Sequence, residues 1–448
     1  MKPGSGARSR RRIGSLLFGR PFQLSAVAGL QVLASFGVQW YTVACLGVGA
    51  ETDALYLGMT IPVVLTALLT QSLKSVLIPL LAADSEPEQC AQIWLLTAAL
   101  TLIFGLVTYA AHLVAPWLVR LLAPGFTAET TDLAVRLTRI QVFSLIGCVM
   151  YPVLSAANNL RERFLWPPLA QLLSTIVGLG VLVWHLGRFG IALAAWMQVL
   201  ANTLPVLLLA PALGRPRSAG WRPTLWRQLW VRTQPLIGVR ALALSSVPID
   251  RWLASMLPPG SIVILELVSR FYAAVLRILT QGVLTPYFPS LSRLAAGRAW
   301  GEFRDSCRKQ SVLIVGVASA MGGFIVVFGF AALLRIEGYS GHLVVGSLSV
   351  DQSERLITVA VFMAGYLPFA AFAESLSNAY YAQGDTRTPT TVAIVAFLLG
   401  VVLKVGGFVA AGVNGMAIAA TLAAAGYSLT LQYKLTRQAV QARLAETG

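Results

Sequence analysis

Glu266, Arg270 and Arg277 stand at i, i+4 and i+11 in an otherwise apolar run. On an α-helix these positions share one face. Thr280 and Gln281 extend the same stripe. Guanidinium groups held away from bulk water can grip phosphate through paired hydrogen bonds. The stripe therefore suits an anionic ligand; its bland counterpart is a Glu266–Arg270 pair that only ties helices together. A second stripe, Glu374, Asn378 and Tyr381 at i, i+4 and i+7, could line the same polar space, couple a proton, or form a hydrogen-bonded helix contact. Lys404 is a further cation deep in an apolar run and, with Arg270 and Arg277, requires a polar cavity. Asp250-Arg251 lies near the end of its run and reads as an interfacial or gating pair. Lys74, Arg136, Arg139, Arg240 and Arg251 lie within about two turns of run ends, where long side chains can snorkel. An uncompensated cation at the centre of a bilayer costs about 2.5–3.5 kcal/mol. Only Asp250, Glu266 and Glu374 are available inside the runs to offset that cost.

The apolar runs are the elements that must position these groups. Of 448 residues, 56% are hydrophobic and 12% are charged, whereas soluble domains carry about 25% charged residues. That balance excludes a soluble enzyme, a disordered chain and a secreted disulfide scaffold. Runs near 22–48, 53–82, 91–120, 133–157, 164–187, 189–213, 233–257, 261–289, 311–335, 356–382, 388–412 and 415–434 are each long enough to cross about 30 Å of hydrocarbon. They predict an all-α polytopic membrane protein of about twelve spans.

The formal charge is +16, from 34 basic and 18 acidic residues. In a membrane chain such an excess reads as topology and not as nucleic-acid binding. The N-terminus, the loops after even-numbered spans and the C-terminus carry most of the basic residues. The opposite side has Arg120, Arg188, Arg335 and Arg355. Both termini are therefore expected in the cytoplasm. The loop with Asp84, Glu86 and Glu88 is the exception, having no basic neighbour in sequence. The Arg8–Arg12 run introduces an uncleaved first span, not a cleaved export signal.

The two halves repeat. Leu69-Thr70-Gln71 with Pro79 returns as Leu279-Thr280-Gln281 with Pro289, and Gly187-x-x-Gly190-Ile-Ala-Leu-Ala194 returns as Gly412-x-x-Gly415-Met-Ala-Ile-Ala419. Six spans separate the copies, so both have the same orientation, as in parallel-repeat transporters. The expected organisation is a basic cytoplasmic N-terminus (1–21), an N-lobe (22–213), a basic Trp-bearing cytoplasmic linker (214–232), a C-lobe (233–435) and a cytoplasmic tail (436–448). Two six-helix lobes around a cavity suit alternating access.

No GxxxxGK[ST] phosphate loop, HExxH or GxSxG motif occurs, and the four cysteines form no CxxC pair. The chain reads as a transporter and not an enzyme, with no metal site and no cofactor.

Four segments carry a family resemblance. Gly47-Val-Gly-Ala-Glu-Thr-Asp53-Ala with Pro62, Asp250-Arg-Trp-Leu-Ala-Ser255 with Gly260-Ser261, Phe288-Pro-Ser-Leu-Ser-Arg293 and Tyr380-Tyr-Ala-Gln-Gly-Asp-Thr-Arg-Thr-Pro389 resemble segments of the MurJ/MviN lipid II flippases, within the multidrug/oligosaccharidyl-lipid/polysaccharide exporter superfamily. The resemblance implies that superfamily's fold and a cytoplasmic-membrane flippase for a polyprenyl-diphosphate-linked saccharide. Its ligands would be that lipid-linked saccharide and membrane lipids, with envelope-synthesis proteins as further partners and a monomer as the working unit. It places the family's cavity arginine on Arg270, and gating or structural roles on Asp53, Asp250, Arg251, Asp385 and Arg387. The sequence departs from the family at Ser269, Val38-Gln39 and Thr66-Ala67, where family members carry acidic or basic residues. The rivals are an exopolysaccharide precursor as cargo, a drug or cation antiporter of the same superfamily, and a membrane enzyme acting on polyprenyl-linked sugars. The cavity's net positive charge argues against cationic drugs. Protons, Na⁺ or the membrane potential could drive transport, with Glu374 and Asp250 as the carboxylates able to carry an ion.

Overall fold

Long apolar runs without backbone partners outside themselves must satisfy their own N–H and C=O groups in a bilayer, and helices do this. The computed structural model describes residues 20–82, 84–214, 222–337 and 349–447. Among these there are helices and turns and no strands. Span one is α1 (Arg20–Leu46). Span two is α2 (Ala50–Gly58) with α3 (Thr60–Leu81), and span three is α4 (Glu86–Leu122). Span four is α5 (Ala128–Gln141) with α6 (Ser144–Leu160). Spans five and six are α7 (Trp166–Phe189) and α8 (Ile191–Leu209). In the second half, span seven is α9 (Pro223–Leu244) with α10 (Ser246–Ser255), and span eight is α11 (Ser261–Leu279) with α12 (Thr285–Ala296). Span nine is α13 (Trp300–Glu337). Span ten is α14 (Val350–Met363) with α15 (Tyr366–Ala382). Spans eleven and twelve share α16 (Arg387–Thr447).

Eight helical stretches among the described residues are long and apolar enough to cross a membrane. One of them, Arg387–Arg437, holds two expected spans, because the backbone leaves helical geometry at Ala411 and at Gly412 (φ 58°). Spans one, seven and eight are helical but are not among the eight. The last two are interrupted by charge: α9 carries Arg227, Arg232 and Arg240, and α11 carries Glu266, Arg270 and Arg277.

Proline explains most of the breaks within spans. Each ring lacks an N–H and clashes with the carbonyl four residues earlier. Pro62 follows the break at Met59, Pro248 that at Ser245, and Pro368 that at Ala364-Gly365. Pro286 follows a π-helical turn at Thr280–Leu284, a distortion that often marks functional positions.

The chain divides into two compact units. Unit one comprises Met1–Leu46, Ala54–Leu122 and Phe126–Val247. Unit two comprises Gly47–Asp53, Ala123–Gly125 and Pro248–Gly448. The division falls inside span seven, at Val247/Pro248, not in the expected linker. That linker is helical from Pro223 onward as the start of α9. Residues 215–221 and the basic N-terminal residues 1–19 lie outside the described residues.

In unit one, α6 packs on α3, α4 and α8. Leu69, Leu73, Val76 and Leu77 of α3 meet Ile93 and Leu96 of α4 and Val149, Val153 and Leu154 of α6 in a buried cluster. The i, i+4, i+7, i+8 spacing on α3 sets that face. Gly147 lets α6 reach the backbone of α8: a Cβ there would lie 2.3 Å from the Asn202 carbonyl oxygen. In unit two, α15 holds the corresponding place and packs on α11, α12, α13 and α16. Large apolar residues outside these contacts, such as Leu102, Leu106 and Trp184 in unit one and Phe324, Val327, Phe328 and Val409 in unit two, are exposed, as a lipid-facing surface requires.

The acidic loop acquires a basic neighbour. Arg222 donates from Nη1 to both oxygens of Asp84 at 3.1 Å and lies 3.4 Å from Glu88. The loops after spans two and six thus lie on the same side, as alternating topology demands.

Candidate functional site

The charged residues of spans seven, eight and eleven meet within unit two. Glu266 sits at the centre. Arg251 Nη2 donates to one of its carboxylate oxygens at 3.0 Å, and Arg270 Nε donates to the other at 2.5 Å. Each oxygen thus has its own guanidinium. The Glu266–Arg270 bond follows from their i, i+4 spacing on α11. The Arg251 bond comes from α10, after the chain reverses at 256–260. Next to Arg251 in sequence, Asp250 accepts from Lys404 Nζ at 2.6 and 2.7 Å through its two oxygens. Asp250 also lies within electrostatic reach of Glu266 and Arg251.

The cluster of three cations and two carboxylates joins three spans and keeps a positive balance. Its members differ in access. The Arg251 side chain is 2% exposed and Glu266 15%, while Arg270 keeps 30%. Arg251 is therefore no snorkelling residue; it is a buried counter-ion of Glu266. Lys404 takes Asp250 as its partner instead of standing alone in a polar cavity. Arg277, two turns beyond Arg270, is exposed and lies just before the π-helical turn.

Asp53 occupies a different place. Its carboxylate is 3% exposed and accepts from the N–H of Gly260 at 2.6 Å and of Val263 at 2.9 Å. These are unsatisfied donors at the start of α11, where the helix dipole also favours a negative charge. Gly260 has φ 90°, and a Cβ there would lie 2.4 Å from Val48 Cγ1, so this turn needs glycine. Gln352 Nε2 donates to the Val48 carbonyl at 2.6 Å. Arg355 reaches Pro259 O at 3.4 Å and Ser261 Oγ at 3.3 Å. The Gly47–Asp53 segment is thus a clasp on the start of the helix that presents Arg270. Sequence reasoning missed Gln352 and Arg355, whose partners lie 304 and about 95 residues away.

Asp385 caps α16. Its Oδ1 accepts from the backbone N–H of Arg387 and of Thr388, both at 3.0 Å. Hydrogen bonds from Thr388, side chain first and backbone second, hold the Asp385 carboxyl below its ordinary range. Arg387 is exposed. The pair acts on the local turn rather than on the charged cluster.

Glu374, Asn378 and Tyr381 do not join the cluster. They form one edge of α15, on which Glu374 and Tyr381 are the exposed residues. The other faces are pinned: Ser375 to Ser311 of α13 at 2.8 Å, Ser377 to Tyr427 of α16 at 3.2 Å, and Tyr380 to the Leu431 carbonyl at 3.1 Å. Among the described residues no group of three or more His, Cys, Asp or Glu could hold a metal ion.

The family model described as lipid II flippase MurJ matches residues 42–447. A probable lipid II flippase MurJ of Thermotoga maritima is 24% identical over 400 residues, covering 87% of this chain and 79% of that protein. Among solved structures, a lipid II flippase MurJ in an inward closed conformation matches with TM-score 0.78 at 19% identity, over 92% of this chain and 87% of that one. An inward-facing multidrug resistance MATE family transporter of the MOP superfamily matches with TM-score 0.72 at 14% identity, over 92% of this chain and 96% of that one.

Proposed function

Because this chain belongs to the MurJ lipid II flippase family, we propose that it carries a polyprenyl-diphosphate-linked saccharide across the cytoplasmic membrane, with both termini in the cytoplasm. The observation that carries the reading is the carboxylate-held Arg270. A diphosphate–sugar head would lose the hydration of its charges and hydroxyls in hydrocarbon. The protein must replace that hydration while the polyprenyl tail stays in lipid. Arg270 is suited to this: Glu266 fixes its orientation through Nε, and its side chain remains partly exposed. Arg277, on the same face of α11, offers a second cation further along the span. Fixing a guanidinium before the ligand arrives spares the ordering cost of binding.

Glu266 is accordingly an orienting group, and Arg251 holds it in place. Lys404 and Asp250 cancel each other's charge and tie span eleven to span seven, so the net positive charge of the cluster comes from Arg251 and Arg270 against Glu266. Asp53 secures the end of α11 and so acts through backbone position.

Native mass spectrometry of the protein taken gently from its own membrane tests the assignment. A bound polyprenyl-diphosphate saccharide is expected, and Arg270→Ala should lose it. A charge-assisted hydrogen bond contributes about 1.5–3 kcal/mol, so translocation by Arg270→Ala should fall by about tenfold or more, at near-normal expression. Arg270→Lys should retain part of the activity, since a point charge replaces a fork. Unchanged lipid and unchanged transport in Arg270→Ala would remove Arg270 from the site. Thr66-Ala67 and Val38-Gln39, apolar or neutral where the family resemblance implies charged residues, favour a second cargo: a lipid-linked exopolysaccharide unit with the same diphosphate but a different sugar. The mass of the bound lipid separates the two.

A further inference from the structure

Three carboxylates lie inside the apolar runs of the second half, and the structure gives cations to two of them. Asp250 takes Lys404, and Glu266 takes Arg251 and Arg270. Glu374 takes part in none of the ion pairs among the described residues. It lies eight residues, or about 12 Å, from the end of α15 at Ala382. An ionised side chain at such depth is unfavourable if lipid surrounds it.

The exposed edge of α15 differs in kind from the exposed surfaces of α13 and α16. The exposed residues of α13 and α16 include Phe324, Val327, Phe328, Val402 and Val409. On α15 the exposed residues are Glu374 and Tyr381, with Asn378 half-buried between them. A helix that packs its apolar side chains inward and leaves one carboxylate-phenol edge open is built to face water. The titratable groups near the carboxylate are phenols: Tyr366 and Tyr381 on its own helix and Tyr427 on α16 lie within electrostatic reach. From α11, Tyr272 stands edge-on to Tyr366, ring centroids 6.5 Å apart. Among the described residues, α11, α12, α13 and the π-helical turn, which also pack on α15, supply Glu374 with no ion-pair partner. Phenols and a carboxamide can hydrogen-bond either form of a carboxyl group but cannot cancel its charge. The neutralising partner must come from solution.

We propose that Glu374 is a proton-binding carboxylate, ionised while its edge of α15 faces water and protonated when a conformational change withdraws that edge from water. The bookkeeping is one proton gained and one lost at a carboxylate oxygen per cycle. Protonation of Glu374 thereby ties the cycle to the pH difference across the membrane. The site stands on its own geometry; what the proton drives rests on the flippase reading above.

A hydrophobic carbodiimide, which attacks protonated carboxyls in apolar surroundings, probes the site without any substrate. In native membranes the adduct should form on the peptide bearing Glu374. Its yield should fall about tenfold per pH unit above the group's titration point. Glu374→Gln should lack the adduct and Glu374→Asp should keep it. Labelling that ignores pH, or that sodium suppresses at constant pH, overturns the proton assignment; the second result makes the site a sodium site. In proteoliposomes with a fluorescent polyprenyl-diphosphate disaccharide, an acid outer medium should accelerate outward movement by the wild type several-fold, and Glu374→Gln should not respond. A wild-type rate indifferent to the gradient ends the coupling proposal. A wild type that labels as described yet never moves the probe defeats the flippase reading alone and leaves the proton site standing.

Discussion

The two units solve the same problem differently. Both must seat polar side chains among apolar helices. Unit one does so with neutral hydrogen bonds: Gln31 Nε2 donates to Thr175 Oγ1 at 3.0 Å, Thr66 Oγ1 to Cys148 Sγ at 2.7 Å, and Gln141 Nε2 to the Leu55 carbonyl at 3.2 Å. One of its intramembrane cations, Lys74, lies half-buried, with Nζ 5.0 Å from the centre of the Tyr151 ring, a cation–π contact rather than an ion pair. Unit two uses full charges, joined across three spans. The sequence repeat therefore duplicates a scaffold and not a chemistry. The apolar pattern that builds α6 in one half and α15 in the other is shared; among the described residues, the ion pairs inside spans belong to the second half. A protein that binds an anion needs such groups once, placed where the ligand passes. Elsewhere in the bilayer they only add insertion cost.

Four substitutions would break or sharpen that contrast. The largest effect is expected at Glu266. Glu266→Gln leaves Arg251, 2% exposed, as a buried charge without its counter-ion, which costs about 3–5 kcal/mol. A large drop in the midpoint of thermal unfolding in detergent should accompany loss of transport; a midpoint near wild type would mean that the cluster is not a closed charge system. Next comes Asp53→Ala, which strips the acceptor from the start of α11. Removing such a cap costs about 1–2 kcal/mol, and hydrogen exchange at Gly260 to Val263 should quicken locally. Protection unchanged there would show that the clasp is dispensable. Asp385→Ala should cost about 1 kcal/mol by the same reasoning. Here the sign with pH is fixed: a carboxyl held below its ordinary value stabilises the fold above that ordinary value, and the contribution fades as pH falls through the lowered one. The wild-type advantage over Asp385→Ala should therefore vanish in acid, and a gap constant from neutral to strongly acidic pH would contradict it. The smallest effect is expected in unit one. Lys74→Met gives up a cation–π contact and also relieves the cost of holding a charge in the membrane. Its stability should change by less than about 1 kcal/mol, with transport intact. If Lys74→Met stops transport as Arg270→Ala does, the contrast between the units fails.

The fold was largely legible from the sequence, because bilayer thickness turns apolar run length into spans. The breaks were not: Pro62, Pro248, Pro286 and Pro368 each follow one, but Pro79, Pro116, Pro152, Pro205 and Pro289 sit inside unbroken helices. The site was legible where it is local. Glu266 and Arg270 are four residues apart on one helix, and periodicity alone pairs them. Partners across helices were hidden. Arg251 read as a snorkelling end residue because its distance from a span end is visible and its fold-back onto Glu266 is not. Lys404 read as a lone cation for the same reason, its carboxylate being 154 positions earlier. Asp53 offered a family motif but no hint that its acceptors would serve backbone N–H groups 207 and 210 positions away. Charge pairing across spans depends on register between helices, which hydropathy does not encode.

The Lys404–Asp250 pair bears on how the protein is made. Ribosomes add about 5–20 residues per second, so the 154 residues between the two take roughly 8–30 s to synthesise. Through that interval span seven must wait in or beside the membrane-insertion machinery with an acid that has no ammonium to meet. Its own neighbour Arg251 gains a partner far sooner, when Glu266 emerges 15 residues later. Biogenesis thus has two stages, an early one that closes Arg251 on Glu266 and a late one that waits for span eleven. A nascent chain stalled before Lys404 would carry Asp250 in span seven without its ammonium partner.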